Sequence, residues 1–418
     1  MAQETNKRRI AVVGVGHRGA GTWASEAIAT CADHVSLVGL CDTNAARLDA
    51  AASAISADCF RGTNLDEMLE ATKPHTLVVC TRDDTHADII VKALESGIDV
   101  VTEKPMATTA EDCRRILEAE KRTGRKVSVA FNYRFAPTSR KLRELLASGR
   151  IGDLTSVDFH WYLDTRHGAD YFRRWHAYKH HSGSLFVHKA THHFDLLNWF
   201  IGVDPVRIFA QGALRKYGRN GPFRGARCKE CAHAKECAFH FDMASDPWLD
   251  ALYEKPSLED GYVRDACVFR EDIDIYDTMT AAILYSNGVQ VSYSLNAYLP
   301  IEGHQIAFNG TKGRIEVRSH ERQAFDAPMG RDEILVLGTT DGSVERVLVE
   351  HGPGGHFGGD PLLHAAMFVP DLNDPQGQKA GARAGALSVL TGVAATMSAE
   401  TGSPVDILPL LSGDVGQV

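Results

Sequence analysis

The sequence predicts an α/β domain built on a doubly wound parallel sheet, followed by an α+β domain whose sheet is mostly antiparallel. Three observations carry this. An apolar run over residues 10–13 leads straight into a glycine-rich turn. Strands and helices then alternate up to about residue 131, the pattern of βαβ units. Beyond residue 150, strands succeed one another through tight turns, which gives antiparallel pairing.

The stretch RIAVVGVGHRGAGT (residues 9–22) sets Gly14, Gly16 and Gly19 in the spacing G-x-G-x-x-G. Such a turn brings main chain close to a pyrophosphate and opens a helix whose amides face the anion. The spacing alone is weak, and its context strengthens it. A strand precedes it, a helical pattern follows over 23–30, and a second strand, Val35–Cys41, ends on Asp42. Asp42 lies about 20 residues past the last glycine, where a carboxylate accepts from ribose hydroxyls. A dinucleotide is therefore expected. The carboxylate favours NAD over NADP, since it would repel a 2′-phosphate, with Arg47 downstream as the opposing cation.

Residues 43–57 are Ala-rich and helical, and residues 65–71 form a short helix capped by Asn64 or Thr63. A strand over 75–80 enters TRDDTHAD, where Thr85 or Asp84 caps a helix over 87–96 that Gly97 ends. This loop leaves the carboxyl end of a parallel strand, where such sheets bind ligands. Thr81 and His86 are thus candidate cofactor contacts, or His86 satisfies the helix end. A strand over 98–102 runs into Glu103-Lys104-Pro105. The helix Ala110–Thr123 closes on Gly124, and a strand over 126–131 reaches Asn132-Tyr133-Arg134-Phe135. A lysine at the crevice mouth can bind a substrate oxygen, and desolvation lowers its pKa toward acid–base use. The alternative is a surface lysine on a loop.

The glycine turn, the EKP tripeptide at 103–105 and the FNYRF segment at 131–135 resemble the Gfo/Idh/MocA family, which groups glucose–fructose oxidoreductase with inositol dehydrogenase. The resemblance runs over most of the chain. It implies an NAD-binding Rossmann domain over 1–133 and a substrate and oligomerisation domain over 134–418 with a large open sheet. It also implies NAD-dependent chemistry on a ring hydroxyl of a sugar or cyclitol, with Lys104 in the active site and Glu103 at the nicotinamide end. A homodimer or homotetramer is implied by resemblance alone.

In the second half, a helix over 137–148 closes on Gly149, and strands are expected over 154–163, 204–214, 277–286, 289–299, 304–308, 314–318, 333–338 and 345–350. Asn287-Gly288 is a hairpin signal. Helices over 361–368 and Ala382–Thr401 pack elsewhere. The densest polar chemistry lies over 164–195, with seven histidines among arginines and lysines. Residues 164–181 read as a loop and 184–200 as one helix, on which His188 and His192 share a face. Family members usually carry Asp-x-x-x-His-x-x-Asp here. This chain keeps His192 and Asp195 but sets His188 at the usual Asp position, beside Lys189. His192 or Lys104 is the candidate base, with His188 in reach of neighbouring hydroxyls. His192 is otherwise a core histidine, and the His188/His192 spacing also suits zinc. Tyr133 and Arg134 are candidates for positioning the ring. Arg166, Arg173, Arg174, His176 and their neighbours form either a solvated charge run or an anion site for a carboxylate, phosphate or sulfonate. His356, in GPGGHFGG, is a candidate substrate ligand on a flexible loop.

An insertion over 215–262 holds Cys228, Cys231 and Cys237. These suggest either a structural zinc, with His233, His240 or Cys267 as fourth ligand, or free thiols. The insertion is expected to be a lid or an oligomer contact. A net charge of −9 argues against nucleic acid or membrane surfaces as partners. Nine cysteines, scattered and odd in number, fit a cytoplasmic protein better than a disulfide framework. Three functions compete. The first is an NAD-dependent dehydrogenase for a sugar or sugar derivative. The second is an NAD-recycling glycosidase or lyase, in its boldest form acting on an anionic glycoside such as a sulfoquinovoside. The third is a sensor without catalysis.

Overall fold

The computed structural model describes residues 7–56, 58–322 and 330–413. Six parallel strands build the first sheet: β1 (Arg8–Val13), β2 (Val35–Cys41), β3 (Phe60–Gly62), β4 (Thr76–Val79), β5 (Asp99–Thr102) and β6 (Val127–Val129). Their spatial order is β6-β5-β4-β1-β2-β3, so β1 lies between β2 and β4. The chain reverses direction around β1, and ligands bind outside the carboxyl ends of strands at such a switch point. Residues 10–13 of β1 are buried, which is why they read as an unbroken apolar run. The flanking helices follow from their caps. Asn44 and Asn64 accept from the first-turn amides of helices Ala45–Ile55 and Leu65–Thr72. Thr109 starts the helix Ala110–Thr123 and Gly124, at φ +68°, ends it.

The second sheet contains β7 (Leu154–Asp164), β8 (Pro205–Ala213), β9 (Thr278–Tyr285), β10 (Gln290–Leu299), β11 (Glu302–Gly310), β12 (Gly313–Arg322), β13 (Arg331–Gly338) and β14 (Val344–Glu350). Pairing is antiparallel except between β7 and β10. One face carries the core: Val157, Phe159, Trp161 and Leu163 of β7 are buried and alternate with more open neighbours. Helices Ala190–Ile201 and Ala382–Thr401 pack on this side. Two short strands flank the second of these helices. β15 (Ala380–Gly381) pairs with β6, and β16 (Val405–Asp406) pairs with β8. The carboxyl-terminal part of the chain therefore extends the edges of both sheets.

Two expectations over 164–201 fail. Residues 164–181 are not a loop, because Asp164 accepts from the amides of Arg166 and His167 and starts a helix, Thr165–Arg173. Residues 184–200 are not one helix. They form Leu185–His188 and Ala190–Ile201, separated at Lys189. In the segment holding His356, His356 and Phe357 take left-handed φ values of 52° and 59° ahead of a helical run through Phe368. No helix among the described residues is long and apolar enough to cross a membrane.

Candidate active site

The glycine turn is built by steric exclusion. Gly14 adopts φ +84°, and a Cβ there would lie 2.6 Å from the Cys80 carbonyl carbon. A Cβ on Gly19 would lie 1.8 Å from the Gly14 oxygen. Asp42 fixes the turn from the other side, accepting from the Val15 amide at 2.9 Å and the Asn44 amide at 3.0 Å. Arg47 reaches Asp42 at 3.4 Å and Asp260 at 2.7 Å, so its charge is committed. Arg18 binds Glu103 at 2.6 Å, and Trp23 Nε1 donates to the same carboxylate at 2.8 Å. Burial opposes ionisation of Glu103, yet Arg18 and the indole donor hold its carboxyl below the usual range. Glu103 therefore ties the end of β5 to the glycine turn. His86 is fully buried, with Nδ1 2.9 Å from the Pro105 oxygen and Nε2 3.2 Å from the Thr81 oxygen. It pins two loops together through main chain, and Thr81 Oγ1 accepts from Thr85 at 2.8 Å.

Lys104 emerges from β5 beside a residue that the sequence reading passed over. His188 Nδ1 lies 2.5 Å from Asp83 Oδ2, and Lys104 Nζ donates to the His188 carbonyl at 3.3 Å. Asp83 and His188 are only 3% and 7% exposed. Burial pushes the Asp83 carboxyl well up and the His188 imidazole well down, so the pair shares one proton. Burial also pulls the Lys104 ammonium from 10.5 to about 8 against the opposing fields of Asp83 and Glu103. His192 is buried, with Nδ1 unpartnered among the described residues, and burial keeps its imidazole neutral. Tyr133 stands edge-on to His192 at 5.0 Å and to His356 at 5.3 Å. Lys189 lies 5.6 Å above the Tyr133 ring, its ammonium lowered by burial. His356 Nδ1 meets Asp360 at 3.0 Å, and Asp360 also accepts from Asn132 at 2.8 Å. Asp83, Asn132 and Asp360 complete the cluster. An acidic pair in TRDDTHAD was the only signal for Asp83.

Other expected contacts are engaged elsewhere. Arg134 forms a two-pronged pair with Asp195 at 2.6 and 2.7 Å, both buried. That pair binds FNYRF to the helix Ala190–Ile201. The basic run disperses because carboxylates and main chain claim its members. Arg166 is exposed, and Arg173 donates to Cys228 Sγ at 3.2 Å and to the Phe239 oxygen. Lys179 binds Glu400 and His181 binds Asp84. Arg174, bound to Asp170 at 3.0 Å, and His176, 4.1 Å from the His188 ring, remain near the centre.

Sequence profiles of the Gfo/Idh/MocA oxidoreductases match nearly the whole chain. Residues 8–131 match the "Oxidoreductase family, NAD-binding Rossmann fold", and residues 143–407 match the "Oxidoreductase family, C-terminal alpha/beta domain". The chain belongs to the Gfo/Idh/MocA family. Within it, the "Putative oxidoreductase YteT" of Bacillus subtilis (strain 168) is 42% identical over 365 residues, covering 82% of this chain and 84% of that one. Inositol 2-dehydrogenase of Rhizobium meliloti (strain 1021) is 30% identical over 178 residues, 43% of this chain and 51% of the relative. Among solved structures, the WlbA dehydrogenase from Bordetella pertussis, in complex with NADH and UDP-GlcNAcA, shares the fold with TM-score 0.65. It is 22% identical, with 96% of this chain and 98% of that chain covered.

The NAD-binding domain of this Gfo/Idh/MocA protein thus has the turn, the strand-end carboxylate and the switch-point crevice that the dinucleotide requires. The zinc expected of Cys228, Cys231 and Cys237 is not supported. All three are free thiols, and among the described residues no group of three His, Cys, Asp or Glu side chains is placed to hold a metal ion. They line a small pocket with Cys267, Phe239, His240 and Arg173. Around residue 188 the site is assembled from both halves of the chain. The imidazole comes from the second domain, and its carboxylate partner, Asp83, comes from the loop after β4.

Proposed function

We propose that this chain is an NAD-dependent dehydrogenase acting on a secondary ring hydroxyl of a sugar or cyclitol. The observation that carries the reading is the convergence of Lys104, the Asp83–His188 pair, His192 and Tyr133 at the carboxyl ends of β4 and β5. Bound NAD would supply the hydride acceptor, and the chain's own groups would handle the proton. Lys104, at about 8, is close enough to neutrality to take a hydroxyl proton. His192, held neutral by burial, is the alternative base. Asp83 orients His188 so that its remaining ring nitrogen can meet a neighbouring hydroxyl. Tyr133 and Lys189 form one wall of the substrate space, and His356–Asp360 faces it across the Tyr133 ring.

The His356–Asp360 pair favours a second reading, an NAD-recycling glycoside hydrolase or lyase. Oxidation of a glycoside hydroxyl to a ketone acidifies the adjacent C–H. A second, half-buried acid–base pair would remove that proton, expel the aglycone and guide water addition before the ketone is reduced again. One experiment separates the two. Sugars, cyclitols and aryl glycosides are incubated with NAD while NADH and released phenol are followed together. NADH without phenol supports the dehydrogenase; phenol without net NADH supports the hydrolase. In either case Lys104→Ala should abolish the signal while NADH binding persists, and retained turnover would remove Lys104 from the chemistry.

A further inference from the structure

The insertion reaches the cofactor turn with groups that no expectation for the glycine motif accounts for. Tyr253, at the end of the helix Pro247–Tyr253, is 5% exposed, and its hydroxyl accepts from the His17 amide at 2.9 Å. That hydroxyl approaches the turn so closely that a Cβ on Gly16 would lie 3.0 Å from it. Nearby, Arg264 is 9% exposed, with its guanidinium carbon 5.0 Å from the Tyr253 ring centroid. Its Nε and Nη1 have no hydrogen-bond partner among the described residues. A buried guanidinium with two idle donors is costly unless something accepts from them.

The local charge count points the same way. Arg174 and Arg264 both face Asp170, at 3.0 and 3.7 Å, so two guanidinium groups share one carboxylate. Their fields also reach His17, where they add to burial in disfavouring the imidazolium. Arg18 adds nothing to this surplus, since Glu103 and Asp360 hold it. Two guanidinium groups thus share the Asp170 carboxylate, with Asp246 also facing His17, beside the amides of a turn built for a phosphate. The insertion is anchored there as well: the Pro256 oxygen accepts from Asn44 at 2.8 Å and Asp260 binds Arg47 at 2.7 Å.

We infer that the insertion and the residues just after it form the outer wall of the dinucleotide site, with Tyr253 and Arg264 binding the diphosphate beside the glycine turn. Arg264 donates through Nε and Nη1 to phosphate oxygens. The Tyr253 hydroxyl keeps the His17 amide and donates its own proton to the same anion. This rests on the NAD-binding domain and not on the sugar reading, so either can fail alone.

The test is fluorescence or calorimetric titration of the full-length protein with NADH, ADP and adenosine. Arg264→Met should bind NADH and ADP roughly 10- to 100-fold more weakly, the range for losing charge-assisted hydrogen bonds. Adenosine, which lacks phosphate, should bind as in the parent, and Arg264→Lys should recover part of the loss. Tyr253→Phe keeps the ring packing and should weaken ADP about 3- to 10-fold, a neutral hydrogen bond's share. It also serves as the independent arm should Arg264→Met not fold. Unchanged ADP affinity in the folded variants would overturn the assignment. So would a parallel loss of adenosine, which would mean a structural role, or an effect confined to anionic substrates.

Discussion

Replacing Lys104 with Met should inactivate the protein and stabilise it at once. The Lys104 ammonium has one hydrogen-bond acceptor, the His188 carbonyl at 3.3 Å, and burial lowers it from 10.5 to about 8. At about 1.36 kcal/mol per pH unit, that displacement is a folding cost of about 3 kcal/mol at neutral pH. The side chain is only half-buried and shares its proton balance with Asp83, which together bring the cost to about 1–2 kcal/mol. Glu103 keeps Arg18 and Trp23, and Asp83 keeps His188, so Met strands no buried carboxylate. The sign follows from the lowered pKa. The unfolded chain binds the proton more tightly, so the cost is full below about 8 and fades as pH rises toward 10.5. Thermal unfolding of Lys104→Met should therefore exceed the parent by about 1–3 °C at pH 7, with the gap closing by pH 10. A variant less stable than the parent at pH 7, or a gap independent of pH, would refute the reasoning.

If Lys104 is the base, kcat/KM should rise with pH to a plateau above about 8; a profile flat across that range would transfer the role to His192. Asp83→Asn removes the carboxylate that orients His188 and should lower kcat by about 10²-fold while leaving the NADH dissociation constant unchanged. Arg134→Ala leaves Asp195, 1% exposed, without its partner and should cost about 3–5 kcal/mol in thermal unfolding. The double variant Arg134→Met with Asp195→Leu should recover most of that loss. Gly14→Ala forces a Cβ into the Cys80 carbonyl at positive φ and should cost at least about 2 kcal/mol and abolish NADH binding.

Local features were the legible ones. Residues 10–13 of β1 read directly because a strand buried on both faces must be apolar throughout. Helix ends at Asn64 and Gly124 read because that side chain and that φ act within one turn. The Asn287-Gly288 hairpin set the β9–β10 register in the same way. Partnerships across the chain did not read. Arg134 looked free for substrate because Asp195 is distant in sequence, and the basic run looked like one patch because its carboxylates are scattered. Asp83, Asp360 and Arg264 were missed for the same reason. Each gains meaning only from a residue that folding brings from another domain or from the insertion. The break at Lys189 was hidden because both flanking pieces have helical patterns.

One ribbon, residues 380–406, seals the rim of each sheet, with the helix Ala382–Thr401 as its spine. Swinging the halves apart like jaws would tear backbone hydrogen bonds at one seam or the other. A chain stopped at residue 379 would lose its spine and bare two ribbon margins together, and unguarded margins recruit neighbours. Aggregation rather than a soluble nucleotide-binding fragment is the expected fate of that truncation.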